Sequence, residues 1–219
     1  MKKLLTVIVL MLLIAVGVIA GSPYYVAYQM GQAYEARDGD ALARHIDFEQ
    51  VRPSIKNQLT TRFQATLAQY SAIDQLGGDP LRAFASQFIN TSVDKAVTAE
   101  NVANLIRTQG QVDDATKQLA VAWAIASNKV NLTELVQGMI ANRGDVQAVA
   151  KEQMAQVLAS PEFEQARQGN TSTTDSQPTL AYCGYDCFTI EGEVQGFPVT
   201  AYLQRQGLVN WQVVDVELP

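Results

Sequence analysis

Residues 188–213 read FTIEGEVQGFPVTAYLQRQGLVNWQV, and apolar side chains return there at alternate positions. Phe188, Ile190 and Val194 share one phase; Phe197, Val199, Ala201 and Leu203 share the next; Val209, Trp211 and Val213 share the last. Successive side chains of a strand point to opposite faces, so a period of two marks strands with one buried face. Gln195-Gly196 and Gln206-Gly207 interrupt the runs where turns are needed. The stretch predicts an antiparallel meander of three strands, with a fourth if Leu180 to Tyr182 also pairs. So small a sheet must cover its apolar face, and the cover has to come from upstream.

Directly upstream, residues 169–178 (GNTSTTDSQP) hold no apolar side chain and read as a polar linker. Before them the period is helical. Tyr24 to Arg37 is expected as a helix with Val26, Met30, Ala33 and Arg37 on one stripe. Asp38-Gly39-Asp40 stops it, and Asp40 is placed to cap a short helix from Ala41 to His45. Asp47 is placed to accept from free amides of a further turn, with Gln50 at the capping-box position. Pro53 suits a first helical position, and Ser54 to Tyr70 follows with Ile55, Leu59, Phe63 and Leu67 as a buried stripe. After the break at Gly77-Gly78-Asp79-Pro80, a helix to about Val97 buries Leu81, Phe84, Phe88 and Val93. Thr98-Ala99-Glu100 opens another, with Val102, Leu105 and Ile106 inward, ending at Gly110. Helical patterns continue over 113–127, 131–142 and 145–159, with a further turn from Glu162 to Gln168. The fold class is therefore α+β, helices first and sheet last. The expected organisation is a membrane anchor or signal segment over 1–23, a helical region over 24–168, the linker over 169–178, and the meander over 179–219.

At the N-terminus, Lys2 and Lys3 precede LLTVIVLMLLIAVGVIA, residues 4–20, which has no polar face. Such a helix needs a non-aqueous home, and about 20 helical residues cross a bilayer's hydrocarbon. Leu4 to Pro23 meets that length, so the bilayer is the expected partner of residues 4–23. The two lysines favour the cytoplasmic side and direct the rest of the chain outward. Tyr24, Tyr25 and Tyr28 follow where aromatic rings favour the interface. A cleaved signal peptide is the rival, because Val18-Ile19-Ala20 resembles a small-x-small cleavage site. No Cys follows the run, so lipoprotein attachment there is excluded.

The 219 residues carry a formal net charge of −6; setting aside the positive charges of Lys2 and Lys3 takes the remainder to −8. An acidic domain has no overall electrostatic reason to bind nucleic acid, and no nucleic-acid partner is expected. No P-loop, dinucleotide-binding glycine pattern, G-x-S-x-G or H-E-x-x-H occurs. His45 is the single histidine and lacks the companions of a metal site; no metal and no cofactor are expected. Cys183 and Cys187 are the only cysteines, spaced C-G-Y-D-C. In a hairpin loop they would face each other at bridging distance, whereas in one straight strand they would lie about 13 Å apart. A disulfide ranks ahead of free buried thiols and of redox chemistry. Asp47 and Arg52 are the binding candidates: either an ion pair lining a ligand cleft, or a helix cap with a local salt bridge. Trp123 and Trp211 read as core.

SPYYVAYQMGQAYEARDGDALARHIDF from Ser22, followed by Val51-Arg52, resembles a bacterial membrane-anchored family catalogued as domain of unknown function 2939. Thr98-Ala99-Glu100-Asn101-Val102 with Gly110, and Trp211 to Val216 with Leu218-Pro219, resemble further family segments. The family usually carries Tyr at the His45 position and runs on helically where this chain has Pro53. The resemblance implies a membrane-anchored envelope protein and brings no known activity. The order of helices and sheet is also similar to the cone-shaped folds of nuclear transport factor two-like proteins, a likeness of fold only. The expected role is a single-pass, inner-membrane-anchored, periplasmic module that binds a small apolar ligand or an envelope protein and is not catalytic. The alternative is an envelope hydrolase or isomerase using carboxylates such as Asp47 or Asp215 in a cleft between helices and sheet.

Overall fold

The computed structural model describes residues 2–68, 78–108, 155, 178–194 and 197–217. Helix α1 runs unbroken from Lys2 to Glu35, roughly 51 Å at the usual rise. The sequence suggests an apolar segment and a second helix from Tyr24; the two are one helix with Pro23 inside it. Proline removes one backbone donor, which orphans the carbonyl four residues earlier. That carbonyl belongs to Ile19, and the Ser22 hydroxyl donates to it at 2.7 Å. A neighbouring hydroxyl thus repairs what Pro23 breaks.

Toward its N-terminus, below Val18, the helix is exposed along its described length. Val7 to Leu13, Ile14, Val16 and Val18 are each about half exposed or more. It is the one described helix long and apolar enough to cross a membrane. Above Ser22 the same helix joins the core through Val26 and Ala33, with Met30 packed against it. Arg37 then takes a positive φ of 57° and turns the chain.

Helix α2 is short, Gly39–Ala43. Its cap is Asp38 rather than the expected Asp40: the Ala41 amide donates to Asp38 at 2.9 Å. Asp40 instead meets Arg107 at 2.5 Å, across to helix α5. Helix α3 spans Phe48–Ala68. It begins a turn earlier than Pro53 suggests, because Asp47 caps it first. The Glu49 and Gln50 amides donate to Asp47 Oδ1 at 3.0 and 3.3 Å, and Gln50 Nε2 donates to Oδ2 at 2.8 Å. Pro53 sits in an early turn on the exposed side, beside an exposed Glu49 whose carbonyl it leaves free.

Val51, Ile55, Leu59 and Phe63 form the buried stripe of α3. Helix α4, Gly78–Ala96, packs against it with Ala85, Ile89 and Val93. Lys56 and Asp94 bridge the pair at 2.6 Å. Phe88 is partly buried against this core, while the side chains of Leu67, Leu81 and Phe84 lie outside the described residues. Helix α5, Ala99–Arg107, is capped by Thr98, which accepts from the Asn101 amide at 3.2 Å. Its buried position is Ala103; Val102, Leu105 and Ile106 are half-buried. The helical patterns expected over 113–168, Trp123 and nearly all of the linker fall outside the described residues.

Four strands follow: β1 Thr179–Tyr182, β2 Cys187–Val194, β3 Phe197–Arg205 and β4 Trp211–Glu217. They form an open antiparallel sheet in the order β1-β2-β3-β4. Phe188 pairs with Leu203 and Leu203 with Val213, so one row of buried side chains crosses the sheet. A register shift between Tyr202 and Leu203 moves β4 out of strict alternation. Val213 faces the core, then Val216 does, two positions of opposite parity. Val209, expected in strand phase, lies in the β3–β4 loop and is 42% exposed.

The helices meet the sheet at β4. The Asp47 amide donates to the Val213 carbonyl and the Val213 amide to the His45 carbonyl, both at 2.8 Å. Residues 45–47 therefore run as a short parallel rung on the outer edge of β4, which covers an otherwise free edge. Ser54 donates to Asp215, and Gln58 Nε2 reaches both Asp215 Oδ1 at 3.2 Å and the Val216 carbonyl at 2.8 Å. The architecture is α+β, as the change of period implies.

Ser22 joins the long helix to the sheet. Besides serving Ile19, its oxygen accepts from Trp211 Nε1 at 2.8 Å in a buried position. Ser22→Ala leaves that N–H without a partner and frees the Ile19 carbonyl again. We expect a loss of about 1–3 kcal/mol, read from urea unfolding of the detergent-solubilised chain. An unchanged midpoint would show that water replaces the hydroxyl.

Candidate functional site

Three segments enclose an open cleft of about 780 Å³. Along α1 it is lined by Val18, Gly21, Ser22, Tyr25, Val26 and Gln29. Arg44 and His45, on the connection from α2 to α3, form its second wall. Gln206, Val209 and Asn210 from the β3–β4 loop, with Trp211 and Gln212, form the third. Volumes of this size hold small-molecule ligands. Valines and rings supply the apolar lining, amides and hydroxyls the polar part. Arg44 is the only formal charge among these lining residues, and no carboxylate lines the cleft.

His45 is half-buried here. Burial first, and the Arg44 charge second, lower its pKa from the ordinary 6.5, so the ring is neutral at pH 7. The sign follows from where protons bind. Above pH 6.5 neither the folded nor the unfolded chain protonates His45, and its contribution to stability is whole. Between 6.5 and the lowered folded value the unfolded chain takes up a proton that the folded chain refuses, so acidification destabilises. Below that value both states are protonated and the loss is complete. His45→Gln should flatten this part of the curve, measured by urea unfolding from about pH 7.5 to about pH 5. An identical pH profile in wild type and variant would refute the assignment.

Asp47 and Arg52 lie elsewhere. The Asp47 carboxylate is taken up by the amides and Gln50 of its own cap. Arg52 Nε donates to the Phe48 carbonyl one turn back, at 3.0 Å. The two do not pair with each other, and neither is among the lining residues. Asp215, the other carboxylate of interest, is engaged by Ser54 and Gln58. Among the described residues, no group of three or more His, Cys, Asp or Glu is placed to hold a metal ion.

Cys183 and Cys187 form a disulfide with their Cα atoms 5.1 Å apart. The Cys183 amide donates to the Cys187 carbonyl at 3.1 Å, closing Gly184-Tyr185-Asp186 into a tight loop. This is the hairpin geometry, not the straight strand. Arg205 ties that loop to its neighbour. Its amide donates to the Asp186 carbonyl, Nη2 to the Tyr185 carbonyl at 3.2 Å and Nη1 to the Leu208 carbonyl at 3.0 Å. The guanidinium also lies 4.5 Å from the Trp211 ring centroid and 5.1 Å from that of Tyr185, a cation–π arrangement.

Ser22 and Arg44, which line the cleft, and Arg205, which braces the loops next to it, are residues that the sequence does not single out. A signal existed for Ser22, since a hydroxyl beside a proline in an apolar helix commonly repairs the broken ladder. Arg44 and Arg205 carry none: each is an ordinary surface arginine until the fold brings its neighbours.

No curated protein and no solved structure matches the chain. The family match covers most of α1, the elbow at His45 to Asp47 and the helices through most of α5, and it stops before Gly110 and the sheet. The likeness read at Trp211 to Val216 thus lies beyond it. Over residues 12–105 the chain matches the model of the family described as Protein of unknown function (DUF2939), and it is that family which this part of the chain resembles.

Proposed function

We propose that the chain is a single-pass, membrane-anchored module on the outer face of a bacterial inner membrane, and that its cleft binds a single-chain anionic amphiphile drawn from the bilayer. One observation carries this reading: the cleft runs along α1 from Gln29 down to Val18, inside the apolar segment itself. A ligand there has its tail beside Val18, Val26 and Val209, at the level of lipid. Its head lies toward Arg44 and neutral His45, with no carboxylate in the lining to repel it. An accessory role, presenting or sensing such a molecule, fits a cleft with no paired acid and base.

The uncleaved anchor is supported by how residues 19–23 are used. Tyr182 donates its hydroxyl to the Ala20 carbonyl at 2.8 Å, Ser22 bonds both Ile19 and Trp211, and Pro23 is fully buried. Cleavage after Ala20 would strip acceptors from two of these bonds. An alkaline phosphatase fusion after Pro219 should be active outside the cytoplasm, and the mature N-terminus should be Met1 or Lys2.

The single histidine makes binding directly readable. In the full chain reconstituted in phosphatidylcholine nanodiscs, oleate should raise the His45 titration midpoint seen by NMR, because a carboxylate stabilises the imidazolium. Arg44→Ala should weaken oleate binding by about tenfold or more, as expected when a charge-assisted hydrogen bond is lost. Arg44→Lys should retain part of the affinity. A His45 midpoint that ignores saturating oleate would overturn the ligand assignment.

A further inference from the structure

We propose that the end of the sheet carrying the disulfide loop and the β3–β4 loop is a second membrane contact, which seats Tyr185, Leu208 and Val209 in the lipid headgroup region beside the anchor. This rests on the anchor reading of α1 given above and adds to it a fixed posture of the domain on the bilayer.

The two loops share one end of the sheet, because β1–β2 and β3–β4 are both antiparallel pairs and both turn there. That end faces the exit of α1 from its apolar segment. Tyr182, just before the disulfide loop, bonds the Ala20 carbonyl, and Gln206, Val209 and Asn210 line the same cleft as Val18. Depth then follows from length. Lys2 and Lys3 are the last charges before Glu35, so the hydrocarbon begins near Leu4. About 20 residues of helix carry it to Pro23, and even the shortest spans, about 17 residues, carry it to Ala20. Val18 lies inside either limit. A sheet end tied to Ala20, and facing one cleft with Val18, therefore lies at the level of the interface.

The side chains at this end suit that depth. Tyr185 is 82% exposed and Leu208 74% exposed, the largest exposures among the large apolar side chains of the described residues. Rings and aliphatic tips are favoured at the interface. Arg205 holds both loops in place through the Tyr185 and Leu208 carbonyls, so the two tips are presented together. Glycine at 207, with φ of 96°, makes the turn that points Leu208 outward. Since the chain beyond Lys3 is acidic, the contact rests on apolar burial and does not need anionic lipid.

The test uses the full chain with its disulfide intact, in phosphatidylcholine nanodiscs. An environment-sensitive fluorophore is attached at Leu208→Cys, and separately at Leu12→Cys in the apolar helix and Tyr34→Cys at its far end. All three positions are exposed, so folding is not at stake. We expect quenching by doxyl-labelled lipid, with blue-shifted emission, at Leu208 and Leu12, and neither at Tyr34. If Leu12 is quenched while Leu208 behaves as Tyr34 does, the loop contact is refuted and the anchor stands. If Leu12 is not quenched, the anchor reading fails and takes the loop contact with it.

Discussion

Trp211→Ala will lower stability by about 3–5 kcal/mol, the range for removing a large buried aromatic. The indole is 2% exposed and sits where three parts of the chain meet. Its N–H holds Ser22 of α1, its face carries the Arg205 guanidinium, and its edges contact Tyr182 and Phe188 at centroid distances of 6.1 and 6.2 Å. For a chain of this size the melting temperature should fall by roughly 6–20 °C. Trp211→Phe separates the contributions, keeping most of the ring and deleting the donor. It should cost about what Ser22→Ala costs, and combining the two should add little, because both remove one shared bond. Full additivity of the two substitutions would show that Ser22 and Trp211 act independently.

Gly39→Ala is the second large effect. A methyl built on Gly39 would lie 2.3 Å from the Ala103 carbonyl oxygen and 2.4 Å from the Ala103 Cα. Both are backbone atoms of α5, so no rotamer can give way; α2 and α5 must separate. Overpacking costs about 1–3 kcal/mol, and the upper end is expected here because the Asp40–Arg107 pair spans the same two helices. Gly31→Ala is the control. It too is a helical glycine, but nothing lies within 4 Å of its added methyl, so the change should be neutral or stabilising by up to about 1 kcal/mol. Urea unfolding of both variants reads the contrast. Equal midpoints for the two would mean that α2 is not held against α5 in solution.

Much of the fold is legible because local chemistry repeats along the chain. The spacing of Ile55, Leu59 and Phe63 places the stripe of α3, and the structure extends it back to Val51. Alternation from Phe188 to Val213 places the strands, but Val209 falls in the β3–β4 loop, and the irregularity at Tyr202–Leu203 escapes it, since a bulge changes pairing without changing composition. Capping follows the sequence pattern at one helix and departs from it at another. Asp47 with Gln50 is where the pattern puts it, whereas Asp38 takes the role expected of Asp40. Both aspartates of the DGD turn can cap, and what separates them is Arg107, 67 residues away, which claims Asp40.

The candidate site was less legible. Asp47 and Arg52 stand out in the sequence because they sit in the most recognisable stretch, yet the structure gives both local tasks at the start of α3. The cleft is made from Val18, Arg44, His45 and Trp211, whose separations along the chain no short-range period records.

From residues alone came the apolar leader with its paired lysines, the helical and then alternating periods and the α+β class. Each follows from interactions between near neighbours in the chain: a helix turn or a pleat. Only the folded chain decided that Pro23 would lie within one continuous helix, that Ser22 would serve Ile19 and Trp211 together, and that His45 to Asp47 would lie along β4. Those outcomes depend on groups up to 189 residues apart, and a hydrogen bond across that distance has no local pattern until packing has brought its two ends together.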